Sequence, residues 1–134
     1  MSYHVYVVEL NKKKFVPPKR FRAQNPHIWG PGGSEVTKKT RFYYVGQSAH
    51  EPHCRFKIHK KCHGKNVRFE CKCSFGPAVI TKSQSNRWVR EYGIWLRKWK
   101  YEHYNPIQSR AEAEQKEKEL AEEIRSEKHA AYFA

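Results

Sequence analysis

Hydrophobic and aromatic residues recur with strand-like patterns in three stretches of the chain. Residues 3–10 read YHVYVVEL, and their content of valine and tyrosine is typical of a buried central strand. Residues 41–46 form a short aromatic run that ends at Gly46, and residues 66–73 alternate between apolar and polar side chains. The pattern therefore predicts three strands, the last of which has one solvated face.

A helical pattern follows the second predicted strand. After a polar turn, Pro52 suits the first position of a helix, because a proline there gives up no hydrogen bond. We expect this helix over residues 52–62, with Arg55 and His59 on one face, since residues four apart are neighbours on a helix surface. Three further residues at the same spacing are expected to face inward: Cys54, Ile58 and Cys62.

Residues 87–104 are predicted to form the longest helix. Four aromatic residues at helical spacing favour packing of this helix against the sheet over a role as a binding platform: Trp88, Tyr92, Trp95 and Trp99. Glu91 lies at the border of this stripe, between core and solvent. A surface ion pair with Arg87 or Arg90 is the structural alternative to a functional role for this glutamate.

Charge is distributed unevenly along the 134 residues, whose net charge is +14. Residues 109–134 contain five Lys or Arg and seven Glu, and residues 109–129 are predicted to form an exposed, charged helix. The preceding part holds 22 basic and six acidic residues. So basic and aromatic a domain most often binds nucleic acid, because binding releases counterions from the phosphates. An anionic membrane surface is the weaker alternative, since no basic amphipathic helix stands out.

Two features that the sequence lacks restrict the possible metal sites and the cellular compartment. The chain contains no aspartate, so a metal site built from an aspartate cluster is excluded, and a nuclease that needs a single carboxylate fits better. No apolar run approaches the ~20 residues of a membrane-spanning helix, and the N-terminus lacks a signal-peptide pattern. We therefore expect an intracellular protein with no membrane span and with reduced cysteines.

Residues 11–40 form a predicted connector that is longer than most links between strands. Its basic residues are candidates to lie along a phosphate backbone, and Phe21 or Trp29 could contact bases or sugars. A solvated surface loop is the alternative. The candidate nucleic-acid-binding residues are Lys12, Lys13, Lys14, Lys19, Arg20, Arg22, Lys38 and Lys39.

Six residues in order resemble the signature of the GIY-YIG nuclease family. His4-Val5-Tyr6 stands where the first motif is expected, and Tyr44-Val45-Gly46 followed by Arg55-x-x-x-His59 resembles the second half of the signature. The segment EYGIWLRKWKYEHYNP resembles the stretch in which the family carries a glutamate and then an asparagine. The resemblance covers residues 3–106. The candidate catalytic residues that it implies are Tyr6, Tyr44, Arg55, His59, Glu91 and Asn105.

The family resemblance implies a fold, a reaction and a partner. Residues 1–106 would form a small α+β nuclease domain with a three-stranded antiparallel sheet flanked by helices, and residues 107–134 would form a charged helical tail. The expected reaction is hydrolysis of DNA phosphodiester bonds with a single metal ion, Mg²⁺ or Mn²⁺. The expected substrate is double-stranded DNA. Target choice would come from the connector, the tail, a homodimer or a partner.

The same resemblance implies a role for each residue. Tyr6 would act as the general base, assisted by Tyr44 and His59, while Arg55 would hold a phosphate oxygen as a fixed cation. Glu91 would bind the metal ion and Asn105 would orient the site. On this account Glu91→Ala abolishes cleavage and leaves DNA binding largely intact.

Other interpretations remain open at the level of sequence. His4 replaces the glycine of the first motif, and the connector is longer than the compact family pattern. A non-catalytic nucleic-acid-binding protein that keeps the GIY-YIG fold is the alternative function, whereas a structural protein of a virion or ribosome-like particle would explain only the charge. A structural zinc ion is a less favoured hypothesis, because the cysteine spacing departs from paired knuckles. Its candidate ligands are Cys54, Cys62, Cys71 and Cys73, with His53 and His63 nearby.

Overall fold

The computed structural model describes residues 2–61, 67–69, 78–80 and 86–134 and shows an α+β fold. In chain order the strands are β1 (His4–Leu10), β2 (Phe42–Ser48), β3 (Val67–Phe69), β4 (Ala78–Ile80), β5 (Gly93–Leu96) and β6 (Ala130–Phe133). The α-helices of the described part are α1 (Lys19–Ala23), α2 (Pro26–Trp29), α3 (Pro52–Lys61), α4 (Arg87–Tyr92) and α5 (Arg110–Ser126). Two 3₁₀ turns, Lys98–Lys100 and Glu102–Tyr104, lie between β5 and α5.

The main sheet has four strands in the order β5-β1-β2-β6. Strand β1 is antiparallel to both of its neighbours, whereas β6 runs parallel to β2, so the sheet is mixed. All seven residues of β1 are buried, which confirms the prediction of a buried central strand. The predicted sheet of three antiparallel strands is wrong in its extent, because β6 adds a parallel fourth strand.

The third strand of the prediction pairs elsewhere. Residues 67–69 do form a strand, β3, but its partner is β4 in a separate two-stranded sheet. The rest of the stretch over residues 66–73 lies outside the described residues. Local alternation of apolar and polar side chains predicts a strand, but it carries no information about which strand will be its neighbour.

The long helix predicted over residues 87–104 is wrong. Asn86 caps a short helix, α4, by accepting hydrogen bonds from the backbone N–H groups of Trp88 and Val89. The chain then becomes extended at Gly93, where an added Cβ would crowd the carbonyl oxygen of Val89 and the side chain of Val8. The free edge of β1 takes up the following residues as β5, and this pairing overrides their helical spacing.

The connector folds into the core rather than lying free. Phe15, Phe21 and Ile28 are buried, and helices α1 and α2 place them against the sheet. Phe21 packs edge-to-face on Trp88 with ring centroids 5.8 Å apart, and its ring also meets Trp29 at 6.0 Å. The proposed contact of Phe21 with DNA bases is therefore wrong, because the ring is fully buried.

The C-terminal segment also belongs to the core. A helix is present, as predicted, but it is not fully exposed, because α5 packs on β1 and β2 before β6 joins the sheet. The buried stripe of α5 follows helical spacing and consists of Ala113, Glu117, Leu120, Ala121 and Ile124. In the described segments, no helix combines the length and the apolar character that a membrane span requires.

Candidate active site

Tyr6 and Tyr44 lie side by side on one face of the sheet. The register of β1 and β2 places Tyr6 opposite Gly46 and Val8 opposite Tyr44. Directly opposite residues share a face, as do residues two apart on a strand, so both tyrosines project to the same side. Their ring centroids are 6.4 Å apart. A strand pairing that the sequence predicts only in outline thus brings the two motif tyrosines together.

Gly46 makes room for the ring of Tyr6. A Cβ atom added at Gly46 would overlap Cζ and Oη of Tyr6, so any larger residue would displace the phenol. The strand does not end at this glycine, as the sequence suggested, but continues to Ser48. The glycine therefore serves a close side-chain approach within a continuous strand.

His59 holds the hydroxyl group of Tyr6 from helix α3. Its Nε2 atom lies 2.9 Å from Tyr6 Oη, and its Nδ1 atom accepts a hydrogen bond of 2.9 Å from the backbone N–H of Asn86. Burial lowers the pKa of His59 to about 3, assisted by the charge of Arg55, so the ring is neutral near pH 7. With Nδ1 accepting, the proton must sit on Nε2, and His59 donates to the oxygen of Tyr6.

Arg55 approaches the same phenol from one turn earlier on α3. Burial raises the pKa of Tyr6 to about 12, whereas the charge of Arg55 and its hydrogen bond to Tyr6 act in the opposite direction. Burial also raises the pKa of Tyr44, with a further contribution from Tyr6. Both phenols are therefore neutral at neutral pH, and two donors, His59 and Arg55, are in place to stabilise a negative charge on Tyr6.

Glu117 is a functional candidate that the sequence interpretation missed. It lies in the buried stripe of α5, its residue is only 7% exposed, and it faces the two tyrosines. Burial raises its pKa to about 8, and repulsion from Glu114 adds to the effect. The signal in the sequence is its spacing, because Glu117 lies three residues before Leu120 and seven before Ile124, on the face that those two apolar residues define.

A cavity of about 490 Å³ connects these side chains, and we call it the tyrosine cavity. Arg110 and Glu114 from α5 form an exposed ion pair beside it, with 3.1 Å between Nε and Oε1. The cavity thus combines neutral phenols, an arginine and a buried carboxyl group. Its lining residues are Tyr6, Tyr44, Gly46, Gln47, Arg55, Arg110, Glu114, Glu117, Phe133 and Ala134.

The structure does not bring the predicted metal ligand, Glu91, to this cavity. Glu91 is on the exposed side of α4, where its Oε1 atom lies 3.2 Å from Nε of Arg87 in an i,i+4 ion pair. Its expected position depended on a long helix that the chain does not form. The surface ion pair that the sequence left as the alternative is the arrangement observed.

Asn105 lies on the far edge of β1, away from the tyrosine cavity. Its side chain accepts a hydrogen bond of 2.9 Å from the N–H of Val5 and donates one of 2.8 Å to the carbonyl oxygen of the same residue. The amide thus completes the hydrogen bonding of β1 beyond the end of β5. This contact positions the strand that carries Tyr6, and the expected role of Asn105 in orienting a catalytic site stays a prediction.

The predicted DNA-binding residues divide into two groups. Lys12 donates a hydrogen bond to the carbonyl oxygen of Thr37, which brings the two lysine-rich loops of the connector together. Arg20 lies over the ring of Trp88, with 4.4 Å from its Cζ to the ring centroid. The remaining candidates have exposed side chains on α1 and the two loops: Lys13, Lys14, Lys19, Arg22, Lys38 and Lys39.

The carboxyl groups of the tyrosine cavity fit a single divalent cation. Glu117 is a buried carboxyl group whose ionisation is opposed by burial and by Glu114, so a cation beside it would relieve both effects. Mg²⁺ keeps several waters and needs only one or two protein carboxylates. A group of three or more His, Cys, Asp or Glu side chains around one point is absent from the described residues, but such a site does not require one.

The cysteines differ from the expectation of four reduced thiols. Cys54, on the buried face of α3, is disulfide-bonded. The other candidate zinc ligands on cysteine, Cys62, Cys71 and Cys73, lie outside the described residues, as does His63. The zinc hypothesis therefore stays a prediction.

Comparison of the chain with protein-family models, with curated proteins and with solved structures found no match. The geometry of the tyrosine cavity and the sequence signature are therefore the basis for the function proposed below.

Proposed function

We propose that this protein is a metal-dependent endonuclease of the GIY-YIG type that hydrolyses DNA phosphodiester bonds. One observation carries the proposal: the two motif tyrosines, an arginine and a buried carboxyl group line a single cavity, and a histidine behind it holds the hydroxyl of Tyr6. Structural packing alone does not require a buried, weakly acidic glutamate beside two phenols. A phosphodiester hydrolase needs these groups, because it must bind a phosphate, activate water and stabilise a leaving oxygen.

The arrangement of strands supports the GIY-YIG interpretation. Strand β1 is antiparallel to both β5 and β2, which supports a GIY-YIG-like unit although β5 is not the third strand that the sequence predicts, and β1 and β2 carry Tyr6 and Tyr44. Helix α3 then delivers Arg55 and His59 to the same side. In this proposal β6 is an addition to that unit, and the carboxylate role expected of Glu91 belongs to Glu117.

Arg55 and Tyr6 perform the proton and phosphate chemistry in this proposal. Arg55 binds a non-bridging phosphate oxygen, for which its planar cation is suited. Tyr6 first gives its own proton to solvent, and the phenolate is stabilised by hydrogen bonds from His59 and Arg55. The phenolate then takes the proton of the attacking water and becomes a neutral phenol again. His59 contributes as a neutral donor and does not act as the base, because its Nδ1 lone pair is occupied by the backbone of Asn86.

Glu117 holds the metal ion, Mg²⁺ or Mn²⁺, with Glu114 as a nearby second carboxylate. When bound, the ion supplies charge stabilisation for the phosphoryl group and the leaving oxygen. The protein's part is to keep Glu117 in a partly desolvated position beside the phenols. There its carboxylate gains more from a cation than an exposed carboxylate would.

Double-stranded DNA is the proposed substrate, and the exposed lysines of the connector are its proposed contacts. They lie on α1 and on the loops that Lys12 and Thr37 join. Contacts of this kind bind the phosphate backbone without reading sequence, and their strength falls with salt.

Removal of a single hydroxyl group tests the proposal. Supercoiled plasmid is incubated with wild-type protein, Tyr6→Phe or Tyr43→Phe, in Mg²⁺ and in chelator. We expect metal-dependent nicking that Tyr6→Phe lowers by roughly 10²–10⁴-fold. Tyr43→Phe is the matched control, because it removes a buried tyrosine hydroxyl from the opposite face of the same sheet and should retain activity. Equal losses in both variants would exclude Tyr6 as the base.

A non-catalytic nucleic-acid-binding protein with this fold is the second candidate. It is favoured by the burial of both phenols and by the pKa of about 12 for Tyr6, which oppose proton transfer near neutral pH. Tight DNA binding by the wild type, with no cleavage of plasmid, linear or branched DNA in Mg²⁺ or Mn²⁺, would select this candidate.

A further inference from the structure

Two large aromatic side chains that were expected in the core are exposed. Trp95 on β5 is 50% exposed, and Trp99 in the following 3₁₀ turn is 65% exposed. Strand β5 is an edge strand, and among the residues that the structure describes no further strand pairs with it on this side. Neighbouring exposed aromatic residues on a protein surface often mark an interaction site.

Cations hold both indole rings. The guanidinium of Arg97 lies 5.0 Å from the ring centroid of Trp95, and Nζ of Lys100 lies 4.3 Å from that of Trp99. Arg97 is itself fixed by Glu9, with a distance of 2.6 Å between Nη2 and Oε1. The rings are therefore backed by positioned charges. We call Trp95, Arg97 and Trp99, together with Arg41 beside Glu9, the tryptophan surface.

The tryptophan surface carries positive charge. Its cations are Arg97 and the exposed Arg41, whereas Lys98 lines a different cavity together with His4 and Leu96. The buried carboxylate beneath it, Glu9, is neutralised by Arg97 and, at 3.6 Å, by Arg41. Lys100 supports the ring of Trp99 from within the fold: its side chain is 6% exposed and its Nζ atom lies 3.8 Å from Glu127, so the pair adds no net charge. A partner with a negative backbone and flat apolar groups complements this combination of cations and exposed rings.

The register of the sheet separates this surface from the tyrosine cavity. Trp95 pairs with Glu9 on β1, and Glu9 is three residues from Tyr6, so the two side chains project to opposite faces. A ligand on the tryptophan surface would therefore leave the cavity residues uncovered. Binding there can be measured independently of cleavage.

We propose that the tryptophan surface binds single-stranded DNA by stacking unpaired bases on Trp95 and Trp99 while Arg97 and Arg41 attract the phosphates. Each base has a π face, and a stacked base contributes about 1–3 kcal/mol at such platforms. Bases in a duplex are already stacked on one another, so they cannot use these rings. The inference rests on the proposed function in taking DNA as the partner, and it adds an unpaired strand to the substrate class.

Charge argues against a second copy of the chain as the occupant. Pairing β5 with a second β5 would bring two tryptophan surfaces of the same sign together.

The test measures binding in chelator, so that cleavage plays no part. A fluorescent single-stranded oligo(dT) and a mixed-sequence duplex of the same length are titrated with wild-type protein, Trp95→Ala, Trp99→Ala and the double variant. Ile94→Ala is the matched control, since Ile94 is 42% exposed on the same strand and offers no ring. Phenylalanine variants at positions 95 and 99 test whether an aromatic face suffices.

We expect each alanine substitution to weaken single-strand binding by about 5- to 150-fold and to change duplex binding by less than about twofold. Ile94→Ala should bind like the wild type, and phenylalanine should restore most of the loss. Unchanged single-strand binding in the double variant would overturn the inference, as would equal losses for single strand and duplex. A shift from dimer to monomer in the alanine variants, without loss of single-strand binding, would assign the surface to self-association. None of these binding results bears on the proposed nuclease activity, which is contradicted only by the absence of metal-dependent cleavage.

Discussion

Replacing Glu117 by glutamine should stabilise the folded protein at alkaline pH and change it little in acid. The pKa of Glu117 in the fold is about 8, against an ordinary value of 4.5. The folded state therefore holds this proton more tightly than the unfolded state does. Between these two values the unfolded chain has lost the proton while the fold retains it, so stability falls as pH rises.

The size of the effect follows from the two pKa values. Each pH unit between them is worth about 1.4 kcal/mol, so the wild type should lose about 4 kcal/mol relative to Glu117→Gln between pH 5 and pH 9. The loss should level off above pH 8. Because a domain of this size has a total stability of about 5–15 kcal/mol, the difference is large enough to measure.

Urea unfolding, followed by circular dichroism from pH 5 to pH 9, provides the assay. Glu114→Gln is the control, because this residue is exposed and should remove only part of the pH dependence through its repulsion of Glu117. Parallel stability curves for the wild type and Glu117→Gln across this range would refute a buried, weakly acidic Glu117.

The same assay tests metal binding without measuring cleavage. At pH 9 Glu117 is ionised, and Mg²⁺ at about 100 times its dissociation constant should stabilise the wild type by about 2.7 kcal/mol. Glu117→Gln should show no such gain. Equal stabilisation of both proteins by Mg²⁺ would place the cation elsewhere.

Three further changes test how the site is held. Gly46→Ala should push the ring of Tyr6 aside, lowering stability by about 1–3 kcal/mol and reducing plasmid cleavage. Ser48→Ala on the same strand removes only a hydrogen bond from the N–H of His50 and should leave cleavage unchanged. In the folded protein the pKa of His59 is about 3, so the wild type should lose stability as pH falls below the ordinary value of 6.5, by about 3 kcal/mol between pH 7 and pH 4. His59→Gln should remove this loss. Unfolding curves at both pH values measure it. Asn105→Ala removes both hydrogen bonds to Val5 and should lower stability by about 1–3 kcal/mol in urea.

For each of these three variants, one result would contradict the prediction. A Gly46→Ala protein with wild-type cleavage would mean that the phenol position is unimportant. An unchanged loss of stability between pH 7 and pH 4 in His59→Gln would mean that the fold does not keep this histidine neutral. Wild-type stability in Asn105→Ala would show that its contacts with β1 are dispensable.

The part of the site that local patterns encode could be predicted from the sequence. Strands β1 and β2 are marked by runs of valine and aromatic residues, and these runs place Tyr6 and Tyr44 in strands. The i,i+4 spacing of Arg55 and His59 places both on one helix face. These four residues lie close together in the structure because each belongs to a short segment whose own sequence favours the strand or helix that it forms.

The carboxylate could not be predicted in the same way. The prediction of Glu91 depends on a helix over residues 87–104 that does not form, because Gly93–Leu96 pair with the edge of β1. The sequence gives little sign of Glu117, because its buried stripe on α5 is built partly from small residues, Ala113 and Ala121, which give a weak hydrophobic pattern. Strand pairing with β1 therefore prevents the helix expected around Glu91, and a polar residue in a weakly apolar stripe gives no sign that Glu117 is buried.

Cleavage by Glu117→Gln and Glu91→Gln, compared side by side, is the most direct test of the proposed nuclease. Supercoiled plasmid is incubated with each variant and with the wild type in Mg²⁺ at pH 8, and initial nicking rates are measured. The site geometry predicts a loss of roughly 100-fold or more for Glu117→Gln and a near wild-type rate for Glu91→Gln. The reverse pattern would contradict the assignment of Glu117, and wild-type rates in both variants would contradict a glutamate-bound metal at this site.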